Sequence, residues 1–141
     1  MRVVIDTNVL ISALFWGGAP RRVVDLAASG RLEAVTSPQL LAELEDVLAE
    51  DFEVPQTRLD LILRDILSHA ELITPDPELD IEVRDAGDVK VLVCAVAGRA
   101  DCIVTGDKDL LDLRRIPGRP PVRDVATLTV RAFLQKHSRW T

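Results

Sequence analysis

The chain has 141 residues, of which 48% are hydrophobic and 28% charged, and its formal net charge is −6. That length suits one domain over residues 1–141 with a sizeable core. The composition excludes intrinsic disorder as the main state. Two cysteines, Cys94 and Cys102, both in apolar surroundings, exclude a disulfide scaffold and read as reduced core residues. No apolar run approaches the ~20 residues that cross a bilayer. The opening MRVVIDTNVL lacks the features of a signal peptide, so the expected compartment is the cytoplasm, with no membrane partner. The acidic balance argues against non-specific coating of nucleic acid, which needs Lys and Arg. The charge is uneven, however. Residues 1–109 carry 21 acids and 10 bases, whereas residues 110–141 carry 2 acids and 7 bases.

Arg2–Asp6 is a short β-branched run and predicts a buried strand. Val9 to Trp16 has a helical pattern that stops at Gly17-Gly18, and a second helix follows from Pro20 to Gly30. Leu32–Val35 predicts strand two. Ser37-Pro38 is an N-cap with a first-turn proline, opening a helix whose apolar face is Leu40, Leu41, Leu44, Val47 and Leu48. Thr57–Ser68 is a further amphipathic helix, Glu71–Ile73 a third strand, and Thr74–Asp80 a polar loop. Asp88–Gly98 is apolar around nearly its whole circumference, broken only by Lys90. It therefore reads as buried on most sides or set in a subunit interface. Asp101–Thr105 predicts a strand and Gly106-Asp107 a turn into a short helix. Pro117–Pro121 predicts a loop, Pro121–Arg123 a last strand and Ala126–Lys136 a last helix. Alternating strands and helices, with short apolar strands, predict a three-layer α/β/α fold on a short, mostly parallel central sheet.

Function in such folds gathers at the carboxyl ends of the strands. Asp6 ends strand one, Asp107 follows the strand Asp101–Thr105, and Asp88 opens the apolar helix. Glu43 sits at the edge of its helix's apolar stripe, beside Leu40 and Val47. Carboxylates gathered together raise one another's pKa, a cost accepted mainly where a cation neutralises them. All-oxygen donors suit Mg²⁺ or Mn²⁺. His69 and His137 are isolated from each other and from any cysteine, so no softer site competes. The chemistry served by such acids is phosphodiester hydrolysis. Each acid also has a plainer role open to it. Asp6 and Asp107 can cap the helices that follow them, Asp88 can favour a helix start, and Glu43 can be a surface acid beside Glu45 and Asp46. Ser37 is an N-cap first, and Asn8 more often braces than ligates. Phe15 reads as a core residue.

Val4–Ala13, Thr36-Ser37-Pro38 with Leu41 and Glu43, and above all Asp85–Leu111 ending in ADCIVTGDKDLL together resemble PIN-domain proteins. The similarity is to the subgroup of toxins of toxin–antitoxin systems related to the VapC ribonucleases, and it runs from residue 2 to about residue 135. It implies a PIN fold and an Mg²⁺- or Mn²⁺-dependent endoribonuclease acting on RNA. It also implies a cognate antitoxin as partner and a homodimer or higher homo-oligomer. Carried onto this chain, the catalytic and metal-binding acids fall on Asp6, Glu43, Asp88 and Asp107. The small polar residues near the site fall on Thr7, Asn8, Ser37 and Thr105, and Asp109 is a possible substitute for Asp107. Many relatives have an Asp-Pro-Asp-Asp run where this chain has Asp85-Ala86-Gly87-Asp88, which favours Asp88 over Asp85. The competing class is a non-catalytic RNA- or protein-binding module of the same fold. A phosphatase of the haloacid-dehalogenase type is disfavoured, because it wants an Asp where Asn8 stands. A receiver domain is disfavoured because Lys108 is a poor match to its lysine.

Overall fold

Val3, Val4 and Ile5 open the chain, and their alternating side chains set the centre of the molecule. In the computed structural model the described residues are 1–75, 86–113, 115–116 and 125–137. Within them the order is β1 (Arg2–Ile5), α1 (Thr7–Phe15), α2 (Gly18–Ala28), β2 (Glu33–Thr36), α3 (Pro38–Glu50), α4 (Gln56–His69) and β3 (Ala70–Leu72). Then come α5 (Ala86–Ala97), β4 (Cys102–Val104), α6 (Lys108–Leu113), β5 (Arg115–Ile116), β6 (Val125–Leu128) and α7 (Val130–Lys136).

The sheet order is β3-β2-β1-β4-β6-β5. All pairings are parallel except the short edge pair β5–β6. The chain builds outward from β1 on one side, through β2 to β3, and then returns to place β4 on the other. The gap above the carboxyl ends of β1 and β4 is therefore the topological switch point, where α/β sheets bind ligands.

Side-chain alternation sends successive residues to opposite faces. Val4, Val35, Ile103 and Val125 pack with Leu40 of α3, Leu110 of α6, and Val91, Leu92, Cys94 and Ala95 of α5. Val3, Ile5, Cys102 and Val104 pack against Val23 and Leu26 of α2 and Phe133 and Leu134 of α7. Helices cover both faces, as expected of three layers. A third cluster, Ile11, Leu44, Leu48 and Leu59, joins α1 to the α3–α4 hairpin. Arg2 fastens the amino end of the sheet. Its guanidinium pairs with Glu33 at 2.9 Å and Glu71 at 2.6 Å, and donates to the Gly98 carbonyl at 2.8 Å. Gly17 and Gly18 have φ of 67° and 62°, which is why a glycine pair can turn α1 into α2 so abruptly.

Most expected elements lie within a residue or two of those observed. Two expectations are corrected. Residues 126–128 are strand, not the start of the last helix. Val125–Leu128 pairs in parallel with β4, and the helix begins only after Thr129, whose hydroxyl accepts from the Ala132 amide. Val125 and Thr127 are β-branched and buried, and they alternate with half-buried Ala126 and Leu128, a strand pattern that the adjoining helical periodicity obscured. The expected strand Pro121–Arg123 and the loop Pro117–Pro121 lie outside the described residues, as does most of Thr74–Asp80. Phe15 is also corrected. It is 42% exposed and stacks on Phe52 rather than entering the core. No helix among the described residues is long and apolar enough to cross a membrane.

Gly98 ends α5 where β2 passes closest. A Cβ there would stand 2.5 Å from Val35 Cγ1 and 2.9 Å from the Cys94 carbonyl oxygen. Val35 is buried and stiff at χ1, so it cannot give way cheaply. Gly98→Ala is expected to cost roughly 1–3 kcal/mol, read as a lowered midpoint in thermal or urea unfolding; an unchanged midpoint would show that this packing is looser than described.

Candidate active site

β1 ends at Ile5, so the next residue emerges at the switch point, and that residue is Asp6. It is buried, at 7% exposure. Its Oδ1 accepts from the Thr7 amide at 2.8 Å, and its Oδ2 accepts from the Thr105 hydroxyl at 2.6 Å. Thr105 follows β4 directly, and the Leu128 carbonyl accepts its backbone N–H at 2.9 Å. The Thr105 hydroxyl oxygen in turn accepts from the Asp107 amide at 2.9 Å. Asp107 Oδ1 accepts from the Asp109 amide at 2.8 Å. The ends of β1 and β4 are thus laced together by one hydroxyl and two carboxylates. Asp6 and Asp107 do hold the starts of α1 and α6, so the capping roles read from sequence are real; capping and site placement coincide.

Electrostatics gathers the acids further. Burial pushes the Asp6 carboxyl above its ordinary range; hydrogen bonds from Thr105 and Thr7 pull the other way, and the charge of Asp107 adds to the rise. Glu43, on α3, is likewise pushed up by burial, lowered by Lys90 and raised by Asp6. One of its oxygens, Oε2, is fully enclosed and has no hydrogen-bond partner among the described residues. An ionised oxygen so placed is costly unless something supplies positive charge or a proton.

The remaining expected residues divide. Thr7 is buried and enters through its amide. Asn8 is exposed on the first turn of α1 and lies beside Gly106, its amide atoms 3.8–4.0 Å from where a Cβ on that glycine would stand. Asp109 joins through its backbone N–H, and it is Asp107 whose charge acts on Asp6. Ser37 is fully buried, caps α3 by accepting from the Leu40 amide at 3.2 Å, and lies against Cys94; its capping role is the one realised. Asp88 occupies the third residue of α5, since that helix begins at Ala86, not at Asp88. The Asp88 side chain and all of Asp85 lie outside the described residues. Lys90 was legible in the sequence only as the break in an apolar helix, yet it is a charge that acts on Glu43. The two thiols are free and buried, with pKa pushed up to about 11 for Cys94 and about 12 for Cys102, mainly by burial. They are inert core groups, as the sequence suggested.

The donors that converge here are oxygens, the chemistry of a hard divalent cation. Glu43 Oε2 is the enclosed, partnerless atom such an ion would satisfy, so the residues fit one. Among the described residues alone, no group of three or more His, Cys, Asp or Glu is gathered tightly enough to hold a metal.

The fold and this acid-lined switch point define the class: a three-layer α/β protein with carboxylates at the split of a parallel sheet. The PIN domain family model matches residues 2–109, and the chain belongs to that family. It is 34% identical over 119 residues to the uncharacterized protein MJ1680 of Methanocaldococcus jannaschii, covering 81% of this chain and 76% of that one. Its fold matches VapBC2 from Rickettsia felis, solved bound to a DNA fragment from its promoter. There the TM-score is 0.60 and the identity 17%, over 90% of this chain and 98% of that one. It also matches the PIN domain endonuclease Utp24, with TM-score 0.50 and 19% identity, over 90% of this chain and 84% of that one.

Two outcomes follow. Thr105→Val keeps the shape but strands Asp6 Oδ2. It should cost roughly 1.5–3 kcal/mol where Asp6 is ionised and less once pH has fallen below the ordinary carboxylate range, where Asp6 is protonated; a pH-independent penalty in urea unfolding would contradict this. Both raised carboxyls hold protons in the folded chain at pH values where the unfolded chain has released them. Without metal, their contribution to stability therefore falls as pH rises from the ordinary carboxylate range through the raised values. Glu43→Gln removes one such charge. In EDTA its stability should pull ahead of the parent as pH rises through and above the ordinary carboxylate range, with equal pH slopes the opposing result.

Proposed function

We propose that the chain is a divalent-metal-dependent endoribonuclease, using Mg²⁺ or Mn²⁺ held by Asp6, Glu43, Asp88 and Asp107. The observation that carries this is Glu43 Oε2, an enclosed carboxylate oxygen without a partner, within electrostatic reach of a second buried carboxylate at the strand ends. The PIN membership and the fold shared with a PIN domain endonuclease support it. When bound, the cation lowers the pKa of water and offsets charge on the phosphoryl oxygens.

The chain's own residues divide the remaining work. Thr105 and the Thr7 amide fix both oxygens of Asp6, so its orientation does not depend on what arrives. Asp107 is held through its backbone by the same Thr105 hydroxyl, and through Oδ1 by the Asp109 amide. Glu43 Oε2 has no competing hydrogen bond, which leaves it free to help hold the cation, while the water that attacks phosphorus gives its proton to solvent. The water oxygen bonds to phosphorus, the bridging P–O bond breaks, and the leaving oxygen takes up a proton. Asn8 and Gly106 flank the entrance. Gly106 is exposed and its missing side chain leaves room there.

The biological setting we propose is the toxin half of a toxin–antitoxin pair in the cytoplasm. The likeness to VapBC2 over nearly the whole of that chain supports it. A largely apolar cavity of about 260 Å³ between α1, α2 and α4, where Arg21, Arg58 and Asp65 join Leu10, Leu14 and Leu61 in the lining, is surface of the kind a protein partner covers. The half-buried stripe Val89, Val93, Val96 and Ala97 on α5 supports a homo-oligomer. One observation favours the second reading, a non-catalytic binding module: the acidic run at Asp85-Ala86-Gly87-Asp88 is incomplete beside that of many relatives.

The test is incubation of purified protein with labelled single-stranded RNA and tRNA, in Mg²⁺, Mn²⁺ or EDTA. Cleavage is expected to need metal and to fall roughly 10²-fold or more in Asp6→Asn. Equal cleavage by the variant would overturn the catalytic assignment. No cleavage by a folded, antitoxin-free protein would favour the binding module.

A further inference from the structure

We propose that Lys90 is the phosphate-binding residue of this site, contacting the RNA backbone beside the acid cluster. The proposal rests on the ribonuclease reading above and adds to it the group that draws a polyanion towards a set of carboxylates.

Geometry places Lys90 at the site. Ser37, at the start of α3, lies within hydrogen-bonding reach of Cys94 on α5. Further along α3, Glu43 feels the charge of Lys90, which lies further back along α5. Leu40 of α3 packs in the same cluster as Val91, Leu92, Cys94 and Ala95 of α5, so the two helices face each other. α5 finishes at the amino end of the sheet, where the Gly98 carbonyl accepts from Arg2 Nε at 2.8 Å. Lys90, eight residues earlier, lies roughly 12 Å back along the helix, towards the carboxyl end.

Lys90 is not there to neutralise Glu43 by contact. The ion pairs among the described residues join Arg2 with Glu33 and Glu71, Arg21 with Asp25, and His69 with Asp65; Lys90 is in none of them. Glu43 Oε2 is left without a hydrogen bond although an ammonium carries charge nearby. Lys90 is exposed, while its α5 neighbours Val89, Val91, Leu92 and Val93 are buried or half-buried. A charged residue on an otherwise apolar helix, solvent-facing and outside those ion pairs, stands beside a site that must admit phosphate. Lysine binds phosphate well as a point charge.

The experiment uses the full chain and a fluorescein-labelled mixed-sequence single-stranded RNA. Binding is measured by anisotropy in the cleavage-impaired Asp6→Asn background across about 50–200 mM salt. Adding Lys90→Met is expected to weaken binding several-fold at low salt and to reduce the slope of log K against log salt by ~0.7, the loss of one phosphate contact. Lys90→Arg should restore both. In the Asp6-containing protein, Lys90→Met should raise KM for RNA while leaving Mn²⁺ affinity, read by thermal shift, undiminished. A slope and affinity unchanged by Lys90→Met, with cleavage by the parent protein intact, overturns the Lys90 assignment alone. Weakened Mn²⁺ binding with unchanged RNA binding also overturns it, making Lys90 a support for Glu43. Neither binding nor cleavage of RNA by the parent protein overturns the ribonuclease reading and this proposal with it.

Discussion

The Thr105 hydroxyl and Asp6 Oδ2, 2.6 Å apart across the ends of β1 and β4, form the interaction on which the site depends. Burying a carboxylate costs several kcal/mol unless its oxygens are satisfied. Here each oxygen of Asp6 accepts one bond, from Thr105 and from the Thr7 amide. The same hydroxyl accepts from Asp107, so a single threonine sets the positions of two acids that are 101 residues apart in the chain. The parallel order around β1 is what makes this possible. Were β4 anywhere but beside β1, Thr105 and Asp6 would not meet.

The molecule is polarised along its strands. At the amino end, Arg2 answers Glu33 and Glu71, and acids there are matched by a cation in contact. At the carboxyl end, Asp107 raises the pKa of Asp6 and Asp6 raises that of Glu43, and Lys90, whose charge acts on Glu43, makes no ion pair with any of them among the described residues. A fold that satisfies its acids at one end and leaves them in tension at the other stores that cost where a ligand can relieve it. The core does not share the burden. Its two thiols are buried with raised pKa, and its largest side chain, Phe133, is wholly enclosed.

Much of this was legible in the sequence, for identifiable reasons. Short β-branched runs and Ser37-Pro38 are local signals, and they located β1 and α3 closely. Asp6 was recognisable because a strand end and an acid coincide. Thr105 and Asn8 came from family resemblance, since nothing local says that a threonine after a strand will meet a carboxylate near the other end of the chain. β6 was misread because Val125–Leu128 runs into a helix through one residue, Thr129, and the helical periodicity spilled backwards. Phe15, near the end of the first helical pattern, reads as core; its stacking on Phe52 depends on the α3–α4 hairpin, which no local pattern predicts. Lys90 looked like a blemish on an apolar helix, because its neighbour Glu43 belongs to a different element.

The central claim is that these acids are arranged for a divalent cation. Calorimetric titration of Mn²⁺ into the metal-free protein at neutral pH tests it without any RNA. The account predicts a saturable isotherm that weakens as pH falls towards the carboxylate range, because the Asp6 and Glu43 carboxyls must be deprotonated to ligate. It also predicts that the isotherm vanishes in Asp6→Asn. Binding of equal strength in that variant, or no binding by the unaltered protein, would contradict it.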